Sequence, residues 1–98
     1  MFKVEIIEAP ETLTFVLKGT LHGPQVAELA RVWESKRAAI CNKHFQVDLS
    51  DLASVDHLGK EMLAVMHGYG TELLSTGPKM AAVIDEILAS EHGALAHH

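Results

Sequence analysis

The chain has 98 residues, 48% of them apolar and 21% charged, with a net charge of −5. This length makes one domain around a single modest core, and a negative balance without a basic run argues against nucleic acid as a partner. The lone cysteine, Cys41, excludes an internal disulfide; with no apolar run long enough to span a membrane and no signal peptide in view, a cytoplasmic location is expected.

Residues 2–7 alternate, with Phe2, Val4 and Ile6 on one face and Lys3, Glu5 and Ile7 on the other. Ala9-Pro10-Glu11 interrupts, and Leu13, Phe15 and Leu17 then alternate against Thr14, Val16 and Lys18. Two strands across a short turn predict an antiparallel hairpin. Residues 19–24 read as a loop. Gly23 and Pro24 at its end suit the cap and first position of a helix, because proline has no N–H to lose there. That helix is expected over 24–39, with Val26, Leu29, Ala30, Trp33 and Arg37 on its buried stripe. Glu28 with Arg31 and Glu34 with Arg37 are spaced for surface pairs. Cys41, Asn42 and Lys43 are expected to end it.

The strand over 45–49 sets Phe45, Val47 and Leu49 against Gln46, Asp48 and Ser50. One polar face implies a sheet that is wet or lightly covered on that side, unlike a doubly wound parallel sheet. Residues 48–59 then read as a strand-to-helix turn. A helix over 57–67 follows, with Leu58, Met62, Val65, Met66 and Tyr69 at helical spacing, and Gly68 and Gly70 stop it. Residues 71–74 form a short strand. Gly77 and Pro78 repeat the earlier helix start, and Met80, Val83, Ile84, Ile87 and Leu88 mark a last amphipathic helix. One domain is expected over 1–89, with 90–98 a flexible tail.

The order β-β-α-β-α-β-α predicts an α/β fold, α+β-like in its layering: a four-stranded mixed sheet with helices mainly on one face. Strand-helix-strand crossovers make the second, third and fourth strands parallel. The helix starts near Pro24, His57 and Pro78 then share one edge of the sheet, where backbone N–H groups and positive dipole ends gather. Asp56 is placed to cap its helix, and Asp48 reads as a solvated or turn-bonding carboxylate. The histidines His22, His44, His57 and His67 lack the spacing of a metal site. Gly59-Lys60 lacks the rest of a phosphate loop. No paired carboxylates or triad converge, so the chain is not read as an enzyme and no cofactor is implied.

Asp48-Leu49-Ser50, followed by Val55-Asp56 and Gly59, resembles the STAS domain, the fold of the bacterial anti-sigma factor antagonists. The likeness runs over about residues 4–88. The family often shows Asp-Leu-Ser, a short apolar loop, then Asp-Ser-Ser-Gly at a helix start, and the second serine is often phosphorylated by a partner kinase. Here Asp56-His57-Leu58-Gly59 stands in its place, and Leu58, at the usual serine position, has no hydroxyl to phosphorylate. His22 stands where many members carry an acidic residue. The resemblance therefore implies a protein-binding module without that switch. Its expected contact residues are His22, Asp56, His57, Leu58 and Lys60, and its partner an anti-sigma factor-like protein or another signalling subunit.

Two alternatives use the same edge. One is a small-ligand module for nucleotides or lipids, drawing on Lys60 and Lys79. The other is a cytosolic subunit of a transport complex. Ile7 and Val16 leave the outer sheet face partly apolar and open to homodimerisation.

Overall fold

The computed structural model describes residues 2–40 and 42–96. Among them the elements run β1 (Phe2–Glu8), β2 (Thr12–Leu21), α1 (Pro24–Ala39), β3 (His44–Val55), α2 (His57–Gly68), β4 (Glu72–Leu74) and α3 (Pro78–Ala96). They form a single mixed sheet in the order β1-β2-β3-β4. β1 and β2 pair antiparallel as the expected hairpin, and β2, β3 and β4 run parallel.

One face of the sheet is dry. Leu13, Phe15 and Leu17 of β2 and Phe45, Val47 and Leu49 of β3 form a single buried cluster with Leu29 and Trp33 of α1, Leu63 and Met66 of α2, and Met80 and Ile87 of α3. All three helices therefore cover the same face. Phe15 and Phe45 meet edge to face at 5.8 Å, the arrangement that aromatic quadrupoles favour. The opposite face is a polar network, as the alternation of β3 implied. Lys18 pairs with Glu5 at 2.7 Å, Thr14 donates to Gln46 at 3.0 Å, and Gln46 donates to Glu72 at 3.3 Å. Val16 is nonetheless buried on this face, while Ile7 is exposed.

Trp33 anchors α1. Its ring is 1% exposed, and its Nε1–H donates to Thr71 Oγ1 at 3.1 Å. Thr71 lies in the connection between α2 and β4 and is itself 2% exposed, so each satisfies the other in a dry site. Arg37 was expected on the buried stripe. It is half-buried instead, with its guanidinium stacked on Trp33 at 4.7 Å and on Tyr69 at 4.4 Å and bonded to Glu34 at 3.0 Å.

Three further expectations change. First, residues 50–55 are strand and not turn: β3 continues to Val55. Its ladder with β2 slips one residue between the Val16 and Lys18 pairs and another between the Gly19 and Thr20 pairs. Each bulge adds an unpaired residue to β3 and resets which side chains point inward. The buried leucines thus fall at Leu49 and Leu52, three apart, and the period-2 signal of a strand is lost. Second, β2 extends through Leu21, so only His22 and Gly23 separate it from α1. Third, α2 buries only part of the stripe expected of it: Met66 is in the core and Met62 packs against it, as expected. Gly59, Leu63 and Met66 face the core, whereas Leu58 is 54%, Val65 48% and Tyr69 65% exposed.

α3 runs on to Ala96, past the point where its apolar period lapses. Cys41, expected at the end of α1, and His97 and His98, at the end of the expected tail, lie outside the described residues.

Candidate functional site

The carboxyl ends of β2 and β3 and the starts of α1 and α2 are tied together by Asp56. Its backbone is extended, as a helix cap requires, and its Oδ1 accepts the N–H of Gly59 at 2.8 Å. Its Oδ2 accepts the N–H of Gly23 at 3.0 Å, across the gap to the start of α1. Its own N–H donates to Leu21 O at 3.1 Å. One carboxylate therefore satisfies orphan donors of two helix starts, and both helix dipoles favour its charge. Gly23 reaches this geometry with φ 47, a conformation that L side chains rarely adopt.

Gly59 is the other fixed point. A Cβ there would stand 2.5 Å from Val55 Cγ2 and 2.7 Å from Leu21 O. The first turn of α2 thus lies directly on the ends of β2 and β3, with no room for a side chain.

The bonds from Gly59, then Gly23, with the nearby His22, hold the Asp56 carboxyl below its ordinary 3.8. Its folded-state value is depressed, so its stabilising contribution is present above pH 3.8 and is lost as pH falls through the folded value. Glu5 beside Lys18, Glu8 beside Lys43 and Glu72 beside His44 are depressed from 4.5 and act with the same sign. Urea melts at pH 7 and pH 3 should therefore show lower stability in acid, and Asp56→Asn should show a shallower loss. At pH 7, Asp56→Ala should lower Tm by roughly 4–8 °C through the lost cap.

Of the residues expected at the site, His22, Asp56, His57 and Leu58 come together on this edge. His22 reaches Ser54 Oγ with Nε2 at 2.9 Å, a pairing between residues 32 positions apart that spacing along the chain does not signal. The His57 side chain is 84% exposed and meets Glu61 one turn on at 3.1 Å. Leu58 points outward beside α1. Lys60 does not join them. It turns to α3, where its Nζ donates to Glu86 at 2.9 Å.

The start of α3 completes the edge. Thr76 donates to Ser50 Oγ from its N–H at 3.0 Å and its hydroxyl at 3.1 Å, and Lys79 Nζ donates to the Ala53 carbonyl at 2.6 Å. Asp48 accepts the Ser50 N–H at 2.9 Å, the turn-type bond expected of it. Among the described residues no three His, Cys, Asp or Glu side chains gather as metal ligands, and no helix is long and apolar enough to cross a membrane.

No family model matches the chain, and no curated protein does. Solved structures do. The anti-sigma factor antagonist SpoIIAA in its unphosphorylated form aligns with a TM-score of 0.59 at 22% identity, over 87% of this chain and 82% of that one. An uncharacterized DUF3478-family protein with a SpoIIAA-like fold, from Shewanella loihica PV-4, aligns with a TM-score of 0.56 at 16% identity, over 81% and 71%. The Mglu structure aligns with a TM-score of 0.59 at 12% identity over 76% of this chain, which spans only 19% of Mglu. Four strands in a mixed sheet, three helices on one face and these likenesses together give the chain a STAS-like fold.

Proposed function

We propose that the chain is a non-catalytic protein-interaction module of the anti-sigma factor antagonist type. It docks its partner through residues 21–24 and 56–60, and it lacks the serine switch at position 58. The observation that carries this is the division of labour at the α2 start. Asp56 turns inward to pin both helices, while His57 and Leu58 stand exposed on a rigid edge. Exposed apolar and imidazole groups held on fixed backbone suit protein docking, because little conformational freedom is lost on binding. The apolar Leu58 accepts no phosphoryl group, so docking is constitutive with respect to that position.

A nucleotide or lipid-phosphate ligand draws less support. Lys60 and Lys79, the cations on which that alternative relied, are already tied to Glu86 and to the Ala53 carbonyl.

The test is titration calorimetry against each anti-sigma-type kinase of the source genome, with and without prior incubation with ATP. One of them should bind equally well in both states, with no mass gain on the peptide spanning residues 50–60. Leu58→Glu should weaken that binding at least tenfold. Stoichiometric phosphate on that peptide would sink the switch-free character. Absence of any binding, together with thermal stabilisation by nucleotides or acyl lipids, would replace the interaction module with a ligand-binding one.

A further inference from the structure

The outward stripe of α2 does not stand alone. Leu58, Met62 and Val65 face Val26, Ala27 and Ala30 of α1 across an open groove of about 400 Å³. The α1 wall is mostly small side chains, so the two helices leave a trough between them. Beyond Val65 a second apolar depression continues to Tyr69. From Leu58 to Tyr69 the trough follows three turns of helix, about 16 Å. Five large hydrophobic residues are exposed on the described chain, and three of them, Leu58, Val65 and Tyr69, lie on this stripe. Exposed apolar residues scattered singly need no explanation, but the largest contiguous patch on a monomer is often a functional surface.

Size argues against a second copy as the occupant. Leu58, Val65 and Tyr69, each about half exposed, offer a patch on the order of 300 Å². A stable dimer buries about 800 Å² from each partner. A trough of this length matches the apolar side of one helix, presented as i, i+3, i+4, i+7 anchors. Charge narrows the choice. Glu61 is the one ionisable side chain lining the main groove, and its side chain is 59% exposed. Its contact with His57 is an ion pair only while that imidazole is protonated. The chain as a whole carries −5, which draws in a positively charged segment. At the far end, Tyr69 and the Arg37 stacked on it supply the residue types that dominate binding energy at interfaces.

Resting on the interaction-module function proposed above, we infer that the α1–α2 groove receives a basic amphipathic helix of the partner protein, with a lysine or arginine set against Glu61.

The experiment uses fluorescein-labelled synthetic peptides and fluorescence anisotropy at 150 mM salt. One is an 18-residue helix with leucines at i, i+3, i+4 and i+7 and lysines on its polar face. The second has the same composition with leucine positions scrambled, and the third carries glutamate in place of lysine. The basic amphipathic peptide should bind at least tenfold tighter than either control. Val65→Glu, at an exposed position where circular dichroism can confirm folding, should abolish that advantage. Glu61→Lys should transfer the preference to the acidic peptide. Equal binding of ordered and scrambled peptides, or indifference to Val65→Glu, would overturn the inference. Self-association in sedimentation that Val65→Glu removes would assign the groove to a second copy and overturn it too. A kinase partner that binds in calorimetry but ignores both Val65→Glu and competing peptide would refute the groove while leaving the interaction module standing.

Discussion

Gly59→Ala should lower Tm by roughly 12–24 °C. The new Cβ would stand 2.5 Å from Val55 Cγ2 and 2.7 Å from Leu21 O. Overpacking of this kind costs about 3 kcal/mol where neighbours cannot yield, and each kcal/mol moves Tm by roughly 4–8 °C in a domain of this size. Yielding is blocked on one side by backbone, because Leu21 O also accepts the Asp56 N–H at 3.1 Å. Moving α2 outward would break that bond or the Asp56 bonds to Gly59 and Gly23. The loss should therefore include geometry as well as stability. Amide hydrogen exchange should speed up at Gly23 and Gly59, the two donors to Asp56, more than in the centre of β2. Uniform acceleration across the chain would mean that Gly59 acts through global stability alone. A change in Tm below about 4 °C would mean that α2 has slack the structure does not show.

Trp33→Ala should be worse for the core. Deleting a buried indole costs about 3–5 kcal/mol in cavity and transfer terms. The change also leaves the buried Thr71 hydroxyl without its 3.1 Å donor, a further cost of about 1–3 kcal/mol for an unsatisfied group. Against a total stability of about 5–15 kcal/mol for a domain, much of the protein would be unfolded at 37 °C. Trp33→Phe, which keeps an aromatic ring but removes the donor, separates the two effects. Adding Thr71→Val to Trp33→Phe should restore part of the loss, because the polar group left unpaired is then gone. Urea denaturation of the two single variants and the double variant measures this. Strict additivity would mean that the hydrogen bond contributes little. The Arg37 stack on Trp33 and Tyr69 should weaken in both Trp33 variants, loosening the far end of the α1–α2 groove.

These two residues show how differently sequence and structure speak. Trp33 at helical spacing with Leu29 predicts a core position, and it occupies one. Its partner Thr71 is 38 residues away, at the start of the strand expected over 71–74 and one residue before β4, where nothing in the spacing signals the pairing. Gly59 draws notice through its place after Asp56, but its reason is the distance to Leu21 and Val55, which exists only once β2, β3 and α2 have met.

The Asp56 cap is a local event, so the sequence forecasts it: aspartate before an apolar helical run accepts an N–H three residues on. Its second bond, to Gly23, joins residues 33 apart, and that bond turns two helix starts into one edge. Leu58 and Lys60 differ for a related reason. Both belong to the first turn of α2, yet two residues make about 200° of rotation, so Leu58 looks toward α1 and Lys60 toward α3.

By itself the sequence determined the order of elements, the hairpin, the single dry face of the sheet and the helix starts at Pro24, His57 and Pro78. Those features depend on periodicity, proline and capping chemistry that act within a few residues. Tertiary structure alone decided the rest. The two bulges of β3 arise from its register against β2, and they hide a strand behind the spacing of a loop. α2 carries apolar residues on two sides, and periodicity cannot tell which side faces the sheet. Packing buries Gly59, Leu63 and Met66, because only a glycine lets the helix start close onto Leu21, and the turn of the helix then carries Leu58, Val65 and Tyr69 out to solvent.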